Sequence, residues 1–289
     1  MPGEDPWEAL RLATRARIGL GRAGDAMKIA DVLDFQFAHA KARDAVHTRL
    51  NVAALQAALP GAIHVHSEAE GREMYLRRPD LGRRLHPGCL AQLLAADYDA
   101  VFVISDGLSA TAVEQNAVPM VEATMARLTG FKIAPIVIAT QARVALGDDI
   151  GEACGAKLCA VLIGERPGLT VSDSLGVYLT YNPKRGTRDS ARNCISNIHR
   201  HGGLSYNTAA NMLAWLMREA LRRQLTGIGL KEASSLPAPG PFRENARLST
   251  PADAVEEQAD GEADAVFDFG GFHGVAGDDD AGGAADDEA

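Results

Sequence analysis

From Ala100 to about Ile163 the chain repeats one pattern: a short, wholly apolar run, then a turn and a helical segment. The runs are Ala100–Ile104 (AVFVI), Ile133–Ala139 (IAPIVIA) and Leu158–Ile163 (LCAVLI). A helix from Ser109 to about Leu128 separates the first two, and one around Asp148–Cys154 separates the last two. A strand that is apolar on both faces must be covered on both faces. Strands that alternate with helices therefore predict a parallel sheet sandwiched between helical layers. Val177–Tyr181 is a further candidate strand. Ser205 is placed to cap a last helix, Tyr206–Leu225, whose Ala209, Leu213, Leu216 and Ala220 form an apolar stripe, with Gly227 as its stop.

The segment before this pattern reads differently. Asp5-Pro6-Trp7-Glu8 combines a capping Asp, a Pro in the first turn and a Glu three residues after the cap, which together predict a helix start. Trp7, Leu10, Thr14 and Ile18 then fall on one face. A second helix fits Ala26 to about Leu50, with Ile29, Leu33, Phe37, Ala40 and Val46 in phase, and Pro60-Gly61 breaks a short alanine-rich helix after it. The first eighty-odd residues are thus expected to be mostly helical.

Beyond Lys231 the chain is rich in Ala, Asp, Glu, Gly and Pro. Such a composition cannot bury enough apolar surface to offset the entropy of ordering, so residues 233–289 are expected to be a disordered acidic tail. Ala265–Val275 (AVFDFGGFHGV) is the exception, with three Phe close together. The thirteen acidic residues after Leu248 meet no Lys or Arg, so of the chain's net charge of −9, residues 1–248 carry +4. A mildly basic body is compatible with nucleic acid, but no aromatic-plus-basic platform and no zinc-finger spacing accompanies it. No run of eighteen apolar residues predicts a membrane span, and the start, MPGEDPWEAL, lacks the order of a secretion signal. The four cysteines (Cys89, Cys154, Cys159, Cys194) have no CxxC pairing and no zinc spacing with histidine; they read as reduced thiols of a cytoplasmic protein.

Four polar clusters interrupt the apolar pattern. Gly19-x-Gly21-x-x-Gly24 has the letters of a dinucleotide fingerprint but follows a helical stretch, which favours a tight interhelical loop. Ser105-Asp106-Gly107 closes a strand and opens a helix, so Asp106 either caps that helix or faces a ligand at the carboxyl edge of the sheet. Gly164-Glu165-Arg166-Pro167-Gly168 follows CAVLI and belongs at the same edge. There the glycines permit close approach of a flat ligand and Glu165 can accept amide hydrogen bonds; the alternative is a plain exposed turn. Asn193-Cys194-Ile195-Ser196-Asn197 gathers small polar groups and a thiol. No His–Cys signature surrounds it, which favours packing over nucleophilic catalysis.

Taken together, RIGLGRAGD (Arg17–Asp25), VISDGLS (Val103–Ser109), VLIGERPGLTVSDS (Val161–Ser174) and ARNCISNIHRHGGLS (Ala191–Ser205) resemble the small subunit of ethanolamine ammonia-lyase over about Leu12 to Leu230. The resemblance implies an α/β fold with a helical N-terminal region (1–90) and a Rossmann-like, mainly parallel domain (91–232); the acidic tail (233–289), read from composition, has no counterpart in it. It implies a lyase subunit that uses adenosylcobalamin to turn ethanolamine into acetaldehyde and ammonia by a radical route. A large subunit would hold the substrate in a hetero-oligomer of several chains of each kind. Its known cobalamin contacts match Val144 in ARVALGD, Glu165 in GERPG and Cys194 in RNCISN. No catalytic residue and no protein ligand to cobalt is expected: the D-x-H-x-x-G signature of histidine-ligating cobalamin proteins is absent, and the family keeps the cofactor's own base on the metal. The expected location is the cytoplasm, with a bacterial microcompartment as a family option. Two other readings remain: an autonomous Rossmann-type enzyme with a nucleotide cofactor, and a non-catalytic scaffold.

Overall fold

The computed structural model describes residues 5–13 and 16–232; the acidic tail and its Phe cluster lie outside the described residues. Among the described residues, six strands form one sheet in the order β1-β3-β2-β4-β5-β6. They are β1 (Ile63–His66), β2 (Tyr98–Ser105), β3 (Val137–Thr140), β4 (Ala156–Gly164), β5 (Leu175–Tyr181) and β6 (Arg192–Ile198). β1, β3, β2 and β4 are mutually parallel, while β5 and β6 run antiparallel at one side. The mainly parallel α/β reading is correct.

β2 is the pivot. The chain leaves it through α5 (Ala110–Met125) to β3 on one side. It then passes through α6 (Leu146–Cys154) to β4 on the other side. The helices consequently cover opposite faces. Phe102, Ile104, Leu158, Ala160 and Leu162 pack with Val113, Ala117, Met120 and Val121 of α5 and with Leu213, Leu216 and Met217 of α7 (Tyr206–Arg223). Val101, Val103, Cys159, Val161 and Ile163 pack with Leu146, Ile150 and Cys154 of α6. Successive residues of β2 and β4 thus point into two different cores, as a period of two demands of a doubly covered strand. The point between β2 and β4, where the connections diverge, is where an open parallel sheet leaves a crevice at its carboxyl edge.

Several sequence expectations need adjustment. Ile133–Ala139 yields a strand only from Val137, because Pro135 has no N–H to give a ladder. β1, inside the stretch read as helical, escaped notice since four residues with two His carry little apolar signal. β6 escaped because it is an edge strand with polar exposed positions, the kind of edge that resists pairing with other chains. α7 ends at Gln224, itself left-handed (φ 57°), before Gly227 is reached. Ser205 caps it as expected, accepting from Thr208 N–H at 3.1 Å.

The N-terminal helices are α1 (Glu8–Ala13), α2 (Ile29–His47), α3 (Val52–Ala58) and α4 (Arg72–Arg77). Asp5 accepts from Trp7 N–H at 3.0 Å, the expected helix start. The first part of the in-phase stripe on α2 faces outward: Ile29, Leu33 and Phe37 are exposed, and the helix buries Ala38 and Ala45 instead. No described helix is long and apolar enough to cross a membrane.

Candidate functional site

Three loops meet above the β2/β4 point. One follows β2 (Gly107, Leu108), one follows β3 (Arg143, Val144, Ala145) and one ends β4 (Ile163, Gly164, Glu165, Arg166). With Tyr178 of β5, Pro79, Arg83 and Asp189 they line an open cleft of about 670 Å³. The floor exists because two side chains are missing. A Cβ on Gly107 (φ 53°) would strike the Gly164 carbonyl, and a Cβ on Gly164 would strike that of Ser109.

The loop after β3 is fixed by Asp106. Ser109, not Asp106, caps α5, accepting from Ala112 N–H at 3.1 Å. Asp106 is fully buried and instead accepts from Gln141 N–H (2.9 Å), Ala142 N–H (3.1 Å) and the Arg72 guanidinium of α4 (3.3 Å). Burial pushes its pKa up, against the pull of Arg72 and the amide donors. The same loop receives Ser105 Oγ and Tyr75 Oη on the Ala142 carbonyl, at 2.8 and 3.1 Å. Arg143 lies over the Tyr75 ring at 4.5 Å, with a buried Nε that has no hydrogen-bond partner. Asp106 is therefore neither cap nor direct ligand contact; it holds the strip that carries Val144. Its partners lie 34 to 36 residues away along the chain, out of reach of any local motif.

The loop after β4 is held more lightly. Glu165 accepts from the hydroxyls of Ser174 and Ser196, with a long contact from Asn197 N–H at 3.4 Å. Gly176 leaves the room this carboxylate needs. Glu165 so joins the end of β4 to the start of β5 and the end of β6. Cys194 is not among the cleft-lining residues. It pairs across the ladder with Tyr178, which does line the cleft. Burial pushes the Cys194 thiol up, partly offset by its hydrogen bond with Tyr178, and Glu165 adds to the rise. Burial likewise raises the Tyr178 phenol. A thiol kept protonated at neutral pH is a poor nucleophile.

Val144 and Glu165 are thus brought to one cleft, and Cys194, exposed, stands beside it as the cross-strand neighbour of Tyr178. Sequence reasoning missed Tyr178, Arg83, Arg143 and Asp189. Only Arg143, beside Val144 in ARVALGD, carried a usable signal. Beneath the cleft, α6 is tied by a buried fork: Arg192 donates to both Asp148 oxygens (2.6 and 2.7 Å), to Thr180 Oγ and to the Thr187 carbonyl. The Gly19–Gly24 loop lies between α1 and α2, its three glycines at positive φ. It has helix, not strand, before it, and so lacks the frame of a dinucleotide site.

Residues 4–231 match the family model described as the ethanolamine ammonia-lyase light chain. The ethanolamine ammonia-lyase small subunit of Azotobacter vinelandii is 49% identical over 245 residues, covering 81% of this chain and 90% of its own length. That of Ralstonia nicotianae is 49% identical over 247 residues, 81% of this chain and 91% of its own. That of Pseudomonas fluorescens is 47% identical over 245 residues, 81% and 89%. A match of this extent, on a fold whose carboxyl edge opens where the matched motifs end, carries one conclusion: the chain belongs to the ethanolamine ammonia-lyase small-subunit family.

Proposed function

We propose that this chain is the small subunit of an adenosylcobalamin-dependent ethanolamine ammonia-lyase, forming one wall of the cofactor enclosure while a large subunit holds ethanolamine. The observation that carries the reading is the cleft at the β2/β4 point, with Val144 and Glu165 in its lining. The donor set suits a corrin. Val144, Leu108, Ile163 and Tyr178 offer apolar and aromatic surface to a flat ring, and Glu165 offers acceptors to peripheral amide N–H groups. Arg83, Arg143 and Arg166 offer donors to amide carbonyls and to an anionic nucleotide loop. When bound, the cofactor supplies the radical that attacks the substrate.

The chain's own part is positioning. Asp106 and Arg72 hold the Val144 strip, Glu165 and its serines hold the opposite lip, and apolar walls keep water out. No acid or base for ethanolamine is assigned here. The exposed Ile29, Leu33 and Phe37 of α2, with Trp7 and Leu10 of α1, are apolar surface of the kind a large partner subunit would cover. Acetaldehyde release from ethanolamine should require this chain, the large subunit and adenosylcobalamin together. Activity of the isolated chain with cofactor would overturn the division of labour, and an inactive mixture that retains no cobalamin would overturn the reading itself.

A further inference from the structure

A second constellation lies at the β1 edge of the sheet, sharing no residue with the cleft. His66 ends the edge strand β1, and His86 and Cys89 come from the segment entering a 3₁₀ turn, Pro87–Gln92. A 3₁₀ turn has three residues per revolution, so His86 and Cys89, three apart, stand on one side of it. The His86 N–H donates to the His66 carbonyl at 3.0 Å, which brings that side against the end of β1. The result is that one ligand atom from each of His66, His86 and Cys89 lies within 4.8 Å of the others. The two imidazoles are 4.6 Å apart between ring centres and tilted by 34°. Both rings are exposed while Cys89 is buried beneath them.

The groups that touch the two imidazoles leave them free to coordinate. His66 Nδ1 lies 2.9 Å from the Ser67 carbonyl, which can only accept, so Nδ1 carries the ring proton and Nε2 presents a lone pair. His86 Nδ1 already accepts from Gly88 N–H over a long 3.2 Å, a weak bond that a stronger partner can replace. His64, two residues before His66 on β1, lies in the same depression with Gln92.

The geometry points to a site for a zinc-class divalent ion, bound by His66, His86 and Cys89 with the fourth position open to solvent. Two imidazoles and a thiolate are the donors such an ion prefers, and a tetrahedral zinc with bonds of about 2.0 Å to nitrogen and about 2.3 Å to sulfur needs this spacing to close by up to about 1.5 Å. Exposed imidazole rings supply that movement through side-chain rotation alone. On binding, the Cys89 proton leaves to solvent and the thiolate takes the metal, so affinity rises with pH. The ion would tie the edge strand to the turn beside it. The cysteine spacings read from the sequence missed this because the third ligand, His66, is twenty residues before His86.

The test uses the full chain, stripped with a chelator and titrated with Co²⁺ as a spectroscopic substitute for Zn²⁺. One equivalent should bind, produce a sulfur-to-cobalt charge-transfer band and be displaced by Zn²⁺, and Zn²⁺ should raise the melting temperature. Cys89→Ser should abolish the band, while Cys194→Ser should keep it. His86→Ala, which removes an exposed ring and leaves the core intact, should weaken binding at least about tenfold with unchanged circular dichroism. A wild-type chain without the band overturns the site. So does a band that survives Cys89→Ser, or, should that variant misfold, one undiminished in His86→Ala.

Discussion

The two lips of the cleft are built from different materials. The strip after β3, carrying Val144, hangs from a fully buried carboxylate that meets a guanidinium and two backbone amides. The lip after β4, carrying Glu165, is held by two serine hydroxyls and one long amide contact, partly open to water. Burial sets how much each can yield. In a dry environment a charge that loses its partner is left stranded, whereas near water solvent replaces a lost hydroxyl. The structure therefore describes a hard lip facing a soft one. A cleft of that kind can keep one edge of a ligand in register while the other adapts.

The sharpest way to break this comparison is Asp106→Ala. It strands Arg72 and two amide N–H groups in the interior and should cost about 3–5 kcal/mol of stability, read by urea unfolding. A loss below about 1 kcal/mol would mean that the hard lip is not hard. Next in size is Gly164→Ala, which forces a methyl against the Ser109 carbonyl; overpacking of this kind should cost about 1–3 kcal/mol. It should also abolish cobalamin retention by the reconstituted complex, followed by the cofactor's absorbance after gel filtration.

Glu165→Gln should cost only about 0.5–1.5 kcal/mol, since an amide still meets the serines, while cobalamin retention falls more than stability does. Equal losses in the two lips' variants would erase the distinction. The smallest effect belongs to Cys194. Cys194→Ser should stay within about 0.5 kcal/mol of the parent. Because the folded thiol titrates above the ordinary cysteine value, less thiolate is present at any pH below it. Iodoacetamide should thus modify Cys194 more slowly than a free thiol near neutrality, with the rate still rising where the free thiol has levelled off. Bound cobalamin should slow it further.

The hard lip was nearly invisible in the sequence and the soft one was legible. GERPG announces itself locally, through two glycines and a proline after an apolar strand. Asp106 was noticed but given the wrong partner, because a Ser three residues later has the better geometry for the cap and the true partners lie on α4 and beyond β3. Long apolar runs such as AVFVI and LCAVLI declare a doubly covered strand by themselves. IHVH and RNCISNI do not, since an edge strand is defined by its neighbours and not by its own side chains. The stripe on α2 was in phase, yet its first part faces outward, because periodicity reports that a helix has an apolar side and leaves open what covers it.

The approach of Gly107 to Gly164 has a consequence for variation. Where two backbones touch, every heritable change at either position adds atoms to a space that has none to give, and no compensating change nearby removes a carbonyl oxygen. The floor of the cleft can thus be varied only in company with the paths of both strands that end there. In a library of single substitutions scored for growth on ethanolamine as nitrogen source, these two positions should be as empty of survivors as the most deeply packed residues of the core.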